Sequence, residues 1–173
     1  VDYELAVILK LTETNTLVVQ KALGPLANEQ IKDFSLDLNR RRDLAHIIRF
    51  DQPYLFGAQE QHEDTYEDLL ELPDGHSCLV APLYIQGTPI GLLTLDHTAC
   101  NMFSPAIVKF IGTISRLIAV IIAQNESSQY LDTIRRDLTR ERNILLARES
   151  PRLKNILGNS EAWSYVVDQV KIV

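Results

Sequence analysis

The sequence is poor in cysteine and has no long apolar run, and both shortages exclude classes of protein. Two cysteines among 173 residues cannot form a disulfide framework, and nothing resembles a secretory signal, so we expect a reducing, cytoplasmic setting. The longest unbroken apolar run, Leu117–Ala123, has seven residues, whereas a membrane-spanning helix needs about 20. We therefore predict a buried helix around this run and no membrane anchor.

Basic residues are also missing from the middle of the chain. No lysine or arginine lies between Arg49 and Lys109, whereas nine acidic residues and three of the four histidines do. The net charge of −6 argues against a nucleic-acid-binding domain, which would carry a basic face. The middle segment is either a solvated acidic surface or the place of a cation, because basic side chains would compete for the carboxylates that a metal needs.

Two pairs of apolar runs predict β-hairpins. The runs Glu4–Lys10 and Thr16–Lys21 are rich in β-forming residues and are separated by a polar turn. The runs His76–Ile85 and Ile90–His97 flank the turn-like segment Gln86–Pro89 and indicate a buried hairpin.

Two helices are predicted outside the hairpins. Residues Arg40–Phe50 place Leu44, Ile47 and Ile48 on one face and the arginines on the outside. Ser104 and Pro105 start a second helix, and no glycine or proline occurs from 113 to 150. Beyond a polar stretch at 124–129 its apolar residues thin to a narrow seam, which predicts a coiled-coil linker, ending at 150–151, that holds a homodimer together. The seam consists of Leu131, Ile134, Leu138 and Leu145.

The second hairpin and the helix after it resemble the second half of a GAF domain. That family has a six-stranded antiparallel sheet with helices and serves mostly as a small-molecule sensor. The resemblance implies an α+β fold over residues 1–125, a long C-terminal helix after it, and an opening family helix that would precede Val1. The matching residues are Ser77-Cys78-Leu79-Val80-Ala81-Pro82-Leu83, Gly87, Ile90-Gly91-Leu92-Leu93-Thr94-Leu95 and Phe103-Ser104.

The tail resembles the start of the AAA+ ATPase domain in bacterial activators of sigma-54-dependent transcription. The match is Ile156–Ala162, followed by Val166, Val170 and Val173 at helical spacing. It implies a linker helix over 126–150 and the beginning of an AAA+ domain over 151–173, with the sensor controlling that ATPase in the full-length protein. The phosphate-binding glycine loop of the family is not among these residues, so we predict that the chain is not an enzyme.

One subgroup of these activators senses nitric oxide through a mononuclear non-haem iron held by carboxylates and a cysteine, and three motifs here resemble it. They are His76-Ser77-Cys78, Thr94-Leu95-Asp96 and Asp64-Thr65-Tyr66-Glu67. The resemblance implies metal ligands at Asp64, Glu67, Cys78 and Asp96, and further cofactor-binding residues at Arg42, Tyr66 and His76. The subgroup has aspartate in place of Glu67 and a longer loop after it, and Arg40 and Arg41 compete with Arg42 for the arginine position.

Strand geometry leaves the partner of Cys78 open. A turn centred on Gly87 pairs Cys78 with Asp96, whereas a four-residue loop sets Cys78 opposite His97. Each candidate also has a purely structural interpretation, since a strand cysteine is often a small core residue and a strand-end aspartate often caps a turn. Cys100 lies in a loop and is expected to have no role.

Three other functions stay open. The domain could bind an organic effector without metal, or it could be a ligand-free dimerisation scaffold. An enzyme that reduces oxidised methionine needs a reactive cysteine with resolving partners, which two separated cysteines hardly support. Bilin attachment in phytochrome-like GAF domains uses a Cys-His dipeptide, but here Leu79 and Asn101 follow the cysteines.

Overall fold

A computed structural model describes residues 1–57, 65–66, 69–70, 72–73, 75–154 and 161–170, without the side chains of 148–154, 167 and 170. Within these residues the chain forms six strands and four helices. In chain order they are β1 (Leu5–Leu11), β2 (Thr16–Leu23), α1 (Glu29–Lys32), β3 (Ser35–Asp37), α2 (Arg42–Ile47), β4 (Tyr54–Phe56), β5 (Ser77–Ile85), β6 (Thr88–His97), α3 (Pro105–Lys154) and α4 (Glu161–Val170).

All six strands join one antiparallel sheet in the order β3-β2-β1-β6-β5-β4, which confirms the predicted fold. Both predicted hairpins are present as β1–β2 and β5–β6. Gly91 explains how closely β6 approaches β1, because a Cβ at this position would lie 2.0 Å from the carbonyl oxygen of Leu9.

The sheet buries both of its faces, because successive residues of a strand point to opposite sides. One side, here called the α2 face, packs in one core cluster with α1 and α2, and Val7, Val80 and Leu44 belong to it. The other side, here called the α3 face, packs against α3. It is formed by Leu79, Ala81 and Leu83 of β5 and Leu93 and Leu95 of β6, which cluster with Ile111 and Ala119 of α3.

Helix α2 is shorter than predicted, and one of its arginines points inward. Leu44, Ile47 and Ile48 are buried as expected, but regular helix covers Arg42–Ile47 only. After Ile47 the chain forms 3₁₀-type turns, since the amides of Arg49 and Phe50 donate to carbonyls three residues back. The prediction that the arginines face outward is wrong for Arg41, whose side chain is 3% exposed.

Helix α3 begins as predicted, and its first part is buried on one side only. Pro105 opens it, with Ser104 accepting the amide of Ile107. Ile111, Ser115 and Ala119 are buried. The expectation of a wholly buried helix is wrong, because a second face stays more than half exposed through Phe110, Leu117, Val120 and Ile121. The predicted end at 150–151 is also wrong: the helix continues through Pro151 to Lys154, although that proline removes one helical hydrogen bond.

One segment, Pro105–Ala147, is long and apolar enough to cross a membrane by length and composition alone. Packing of Ile111 and Ala119 against the sheet accounts for part of this apolar character.

The chain divides into two compact units, Val1–Gln124 and Asn125–Val173. The sheet and its packing helices form the first. The second contains the rest of α3 and the whole of α4, and it includes the segments predicted as linker and AAA+ start. Of the tail residues quoted for that resemblance, 156–160 and Val173 lie outside the described residues.

Candidate metal centre

The register of the β5–β6 hairpin places Cys78 directly opposite Asp96 and Ser77 opposite His97. Of the two registers that the sequence allowed, the structure therefore has the first. The turn itself contains only Gln86 and Gly87, both with positive φ, and an irregularity between Leu83 and Tyr84 adjusts the pairing before Cys78 is reached.

A third potential ligand, His76, joins this pair from the residue before β5. One ligand atom from each of His76, Cys78 and Asp96 lies within 4.8 Å of the other two. Cys78 and Asp96 are fully buried and His76 is 8% exposed. A thiol, a carboxyl group and an imidazole thus converge in the interior, on the α2 face of the sheet.

The histidine ring is oriented by a backbone carbonyl. Nδ1 of His76 lies 3.1 Å from the carbonyl oxygen of Pro73, to which it donates in the tautomer whose lone pair is on Nε2. A backbone carbonyl is a usual partner of the other ring nitrogen of a metal-binding histidine, because it fixes the tautomer and the ring direction.

Residues Thr65 and Tyr66 come from the upstream acidic segment to the same place. Oγ1 of Thr65 lies 3.7 Å from Sγ of Cys78, and the Tyr66 hydroxyl forms a short hydrogen bond with the Thr94 hydroxyl. Both side chains are buried, and the Tyr66 ring packs edge-on against Phe34. The predicted ligands Asp64 and Glu67 lie outside the described residues.

The arginine that enters the interior is Arg41, whereas Arg42 is exposed. The Arg41 guanidinium donates to both carboxylate oxygens of Asp43, at 3.0 and 2.7 Å. Burial alone would raise the pKa of Asp43, but the hydrogen bonds from Arg41 and from nearby backbone amides outweigh it and lower the pKa. The resemblance implied Arg42 as the arginine of the site, with Arg40 and Arg41 as competitors, and this assignment stays a prediction.

The remaining histidine and cysteine near the hairpin lie apart from this cluster. Nδ1 of His97 accepts the amide of Ala99 at 2.9 Å and lies 3.8 Å from a carboxylate oxygen of Glu4. The backbone amide of Thr98, which donates to Glu4, lowers the pKa of that carboxyl group. Cys100 is exposed.

Ser77 connects the cluster to the start of α3, a role that sequence reasoning missed. Its hydroxyl donates to the carbonyl of Ala99 at 2.8 Å and accepts the amide of Met102 at 2.9 Å. Ser77 precedes Cys78, and Met102 lies three residues before Pro105. Two hydrogen bonds therefore tie the beginning of β5 to the loop that leads into α3.

A cleft of about 770 Å³ lies at the other end of the β5–β6 hairpin. Arg49, Tyr84, Gly87 and Arg116 are among its lining residues, and Arg116 pairs with Asp51 at 3.1 Å. Burial, and to a lesser extent the charge of Asp51, raise the pKa of Tyr84. The cleft is separated from Cys78 by most of the length of β5.

The family model for the GAF domain matches residues 5–122 of the chain. No curated protein is similar enough in sequence to count as a match. Solved structures do resemble the chain, and the three described next do so at sequence identities that establish a shared fold only.

Three of these structures show the extent of the similarity. A GAF domain/HD domain protein from Geobacter sulfurreducens is 13% identical, with a TM-score of 0.59 over 72% of this chain and 82% of that one. The GAF domain of a two-component sensor histidine kinase from Bacillus halodurans is 17% identical, with a TM-score of 0.58 over 74% and 86%. A phycocyanobilin-bound GAF domain from a cyanobacterial phytochrome is 14% identical, with a TM-score of 0.57 over 73% and 78%.

Proposed function

The chain belongs to the GAF domain family of ligand-binding regulatory domains in sensor proteins, and on this basis we propose that it senses nitric oxide through a mononuclear non-haem iron. In the same proposal it is the cytoplasmic sensor of a sigma-54-dependent transcriptional regulator and controls the AAA+ ATPase that follows it. Sensing is a binding event, so the domain itself catalyses no reaction.

The observation that carries the iron proposal is the convergence of His76, Cys78 and Asp96 within 4.8 Å. Imidazole, thiolate and carboxylate are ligands that ferrous iron accepts together, so the donor set fits the metal. His76, Cys78 and Asp96, together with the predicted Asp64 and Glu67, are the residues that would hold the iron, and a ferrous ion held by them would supply direct binding of nitric oxide.

Neighbouring residues support this assignment by holding the ligands. The Pro73 carbonyl orients the ring of His76, so that Nε2 presents its lone pair. The Thr65 hydroxyl is placed to donate to the Cys78 thiolate, an interaction that lowers the thiolate's electron donation to a metal. Burial of all three ligands limits access to molecules as small as nitric oxide.

Two observations support the proposed role of the chain as the sensor of a sigma-54-dependent regulator. The tail resembles the start of the AAA+ domain in sigma-54 activators. Ser77, next to Cys78, is bonded to the loop that precedes α3. A change at the metal that moves the start of β5 would therefore act on the helix that leads toward the tail.

Iron binding is tested with chain purified anaerobically, never exposed to chelator, and reconstituted with ferrous iron. We expect about one iron per chain in the wild type and none in Cys78→Ala or Asp96→Ala, because a buried site cannot replace a lost ligand. Cys100→Ala and His97→Ala are the matched controls and should keep the metal. Absence of iron from the wild type, or its retention in both site variants, contradicts the proposal.

Sensing is tested separately from binding. Nitric oxide should produce a ferrous-nitrosyl electron paramagnetic resonance signal in the iron-loaded wild type and none in Cys78→Ala. In the full-length protein, nitric oxide should change the ATPase rate of the wild type but not that of Cys78→Ala.

A second candidate is an organic effector that binds without metal, and the cleft beside Arg49 and Arg116 favours an anionic one. Such an effector should raise the melting temperature of wild type and Cys78→Ala equally, but not that of Arg116→Ala. A melting temperature that no compound raises, together with no iron uptake, would leave a dimerisation scaffold.

A further inference from the structure

The cleft at the turn end of the β5–β6 hairpin has the size of a small-molecule site. Its volume is about 770 Å³, and ligand pockets usually measure about 300–1,000 Å³. The residues that line it lie between 49 and 124, so they all belong to the first unit. His76, Cys78 and Asp96 are not among them, which makes the cleft distinct from the candidate metal centre.

The cleft brings together two arginines that are far apart in the sequence. Arg49 is the last basic residue before the middle segment without lysine or arginine, and Arg116 follows that segment on α3. Both line the cleft, and Asp51 is the one acidic residue among the described lining residues. Two arginines and one aspartate give the lining a net charge of +1, in a chain whose net charge is −6. Such a lining attracts a monoanion.

Both arginines stand on backbone that the fold holds in place. The Tyr84 hydroxyl of β5 donates to the carbonyl of Ile48, the residue before Arg49. The Arg49 amide donates to the carbonyl of His46 at 3.1 Å. Arg116 belongs to the regular helix α3. A ligand that contacts both arginines therefore has little backbone to order, which lowers the entropic cost of binding.

The pair of Asp51 and Arg116 shows which head group the cleft accepts. A carboxylate oxygen of Asp51 lies 3.1 Å from a guanidinium nitrogen of Arg116. Because the Arg116 and Asp51 side chains are 58% and 52% exposed, their attraction is weak and a competing carboxylate can replace it. None of the ion pairs found among the described residues uses Arg49.

We propose that the cleft binds a small organic monocarboxylate with an apolar body. The ligand carboxylate replaces Asp51 on Arg116 and also contacts Arg49, because a guanidinium group matches the two oxygens of a carboxylate. The apolar body packs against lining residues of β5 and α3, namely Ile85, Val120 and Ala123. The bound ligand thus connects β5, α3 and the chain after α2. This proposal gives the organic effector of the second candidate function a chemical class, and it does not depend on iron.

Binding is tested with the whole chain, free of iron, and 2-naphthoate as the probe. The amide of Gly87, which lines the cleft beside open space, is followed by nuclear magnetic resonance. We expect its signal to shift to saturation with a dissociation constant of about 1 mM or below, an ordinary affinity for a probe of this size. The amide of Gly24, outside the cleft, should not shift.

Two further compounds separate the charge of the probe from its apolar body. 2-Naphthamide lacks the charge and acetate lacks the apolar body, so each should bind at least about tenfold more weakly than 2-naphthoate. A Gly87 signal that does not respond to about 10 mM 2-naphthoate would overturn the proposal. Equal binding of acetate and 2-naphthoate would overturn it as well, because the cleft would then hold any anion.

Charge variants test the arginines and their competitor. Arg49→Gln and Arg116→Gln should each raise the dissociation constant of 2-naphthoate about tenfold, because each removes charge-assisted hydrogen bonds. Asp51→Asn should lower the constant about threefold, since it removes the carboxylate that competes for Arg116. The matched control Lys109→Gln removes a positive charge from α3 outside the cleft and should change the constant by less than about twofold.

The outcome for Asp51→Asn is the most specific of these results. If Asp51 only positioned Arg116, the variant would bind 2-naphthoate more weakly than the wild type, and this result would overturn the proposal. Cys78→Ala should bind the probe like the wild type. Shifts at the amides of Ser77 and Thr94 in place of Gly87 would locate the probe in the interior and would also overturn it. Because iron is absent throughout, the cleft and the metal centre can fail separately.

Discussion

The two faces of the sheet are built from the same strands but carry different chemistry. On the α3 face, β5 and β6 contribute an apolar set that packs on α3, represented by Leu79, Leu83 and Leu95. On the α2 face the alternate residues include Cys78, Thr94 and Asp96, all fully buried. On the α3 face, the side chains of β5 and β6 belong to a hydrophobic core. On the α2 face, the same two strands carry a buried polar cluster at one end.

Burial of polar groups costs free energy that apolar packing does not, so their concentration at one edge of one face points to function. The α3 face should therefore dominate stability, whereas the α2 face should combine smaller contributions with ligand binding. Four measurements on the iron-free chain test this division.

The largest effect is expected on the α3 face. Leu79→Ala removes a fully buried side chain and should lower the free energy of unfolding by about 3 kcal/mol. Cys78→Ala, at the next position but on the other face, removes one sulfur atom and should cost about 1 kcal/mol. Urea denaturation measures both, and equal losses would contradict the division.

The partly buried ion pair should give the next largest effect. Asp43→Asn takes the carboxylate from the Arg41 guanidinium and should cost about 2 kcal/mol at pH 7. Because the pKa of Asp43 is lowered in the folded state, this contribution is complete above the unfolded pKa near 4 and disappears as the pH falls through the folded value.

Melting temperatures of the wild type and Asp43→Asn should accordingly differ at pH 7 and approach each other below pH 4. The control is Glu29→Gln, which breaks an exposed pair with Lys32 and should change stability by less than about 0.5 kcal/mol. A difference between wild type and Asp43→Asn that persists unchanged in acid would show that the carboxylate charge is not the cause.

The hydrogen bond between Tyr66 and Thr94 should contribute less. Tyr66→Phe and Thr94→Val each remove one hydroxyl from the buried pair, at an expected cost of about 1.5 kcal/mol. Because both changes delete the same interaction, the double variant should be less destabilised than the sum of the two single variants. If the losses in the free energy of unfolding were additive, the two hydroxyls would contribute to stability independently of each other.

Sequence patterns predicted the strands because apolar runs and turn residues are local features. They did not determine the register, which depends on Gln86 adopting a positive φ and on the irregularity after Leu83. Gly87 marks a turn, but glutamine has no special preference for a positive φ, so the sequence does not fix a two-residue turn at these positions. From the sequence, the pairing of Cys78 with Asp96 was therefore one of two possible registers of the hairpin.

The contacts of the site were harder to predict, since they depend on tertiary packing. A shift of one residue along α2 decides whether Arg41 or Arg42 enters the interior, and periodicity cannot fix a helix start that closely. Thr65 meets Cys78 although 13 positions separate them. Its place inside the Asp64–Glu67 motif was the available signal, but that motif drew attention to carboxylates and not to the hydroxyl.

A small effect on stability is expected at Ser77, which connects the start of β5 to the loop before α3. Ser77→Ala removes the hydrogen bonds to Ala99 and Met102, at a cost of about 1 kcal/mol. It leaves His76, Cys78 and Asp96 in place, so iron uptake should match that of the wild type.

If Ser77 couples the proposed metal site to α3, then iron should slow amide hydrogen exchange in the first turns of α3 in the wild type and much less in Ser77→Ala. Thr98→Ala changes a side chain in the same loop and should behave like the wild type. Equal protection in Ser77→Ala and wild type would mean that the two faces communicate through the sheet itself, because Leu79 and Leu95 adjoin the ligand strand positions and contact α3 directly.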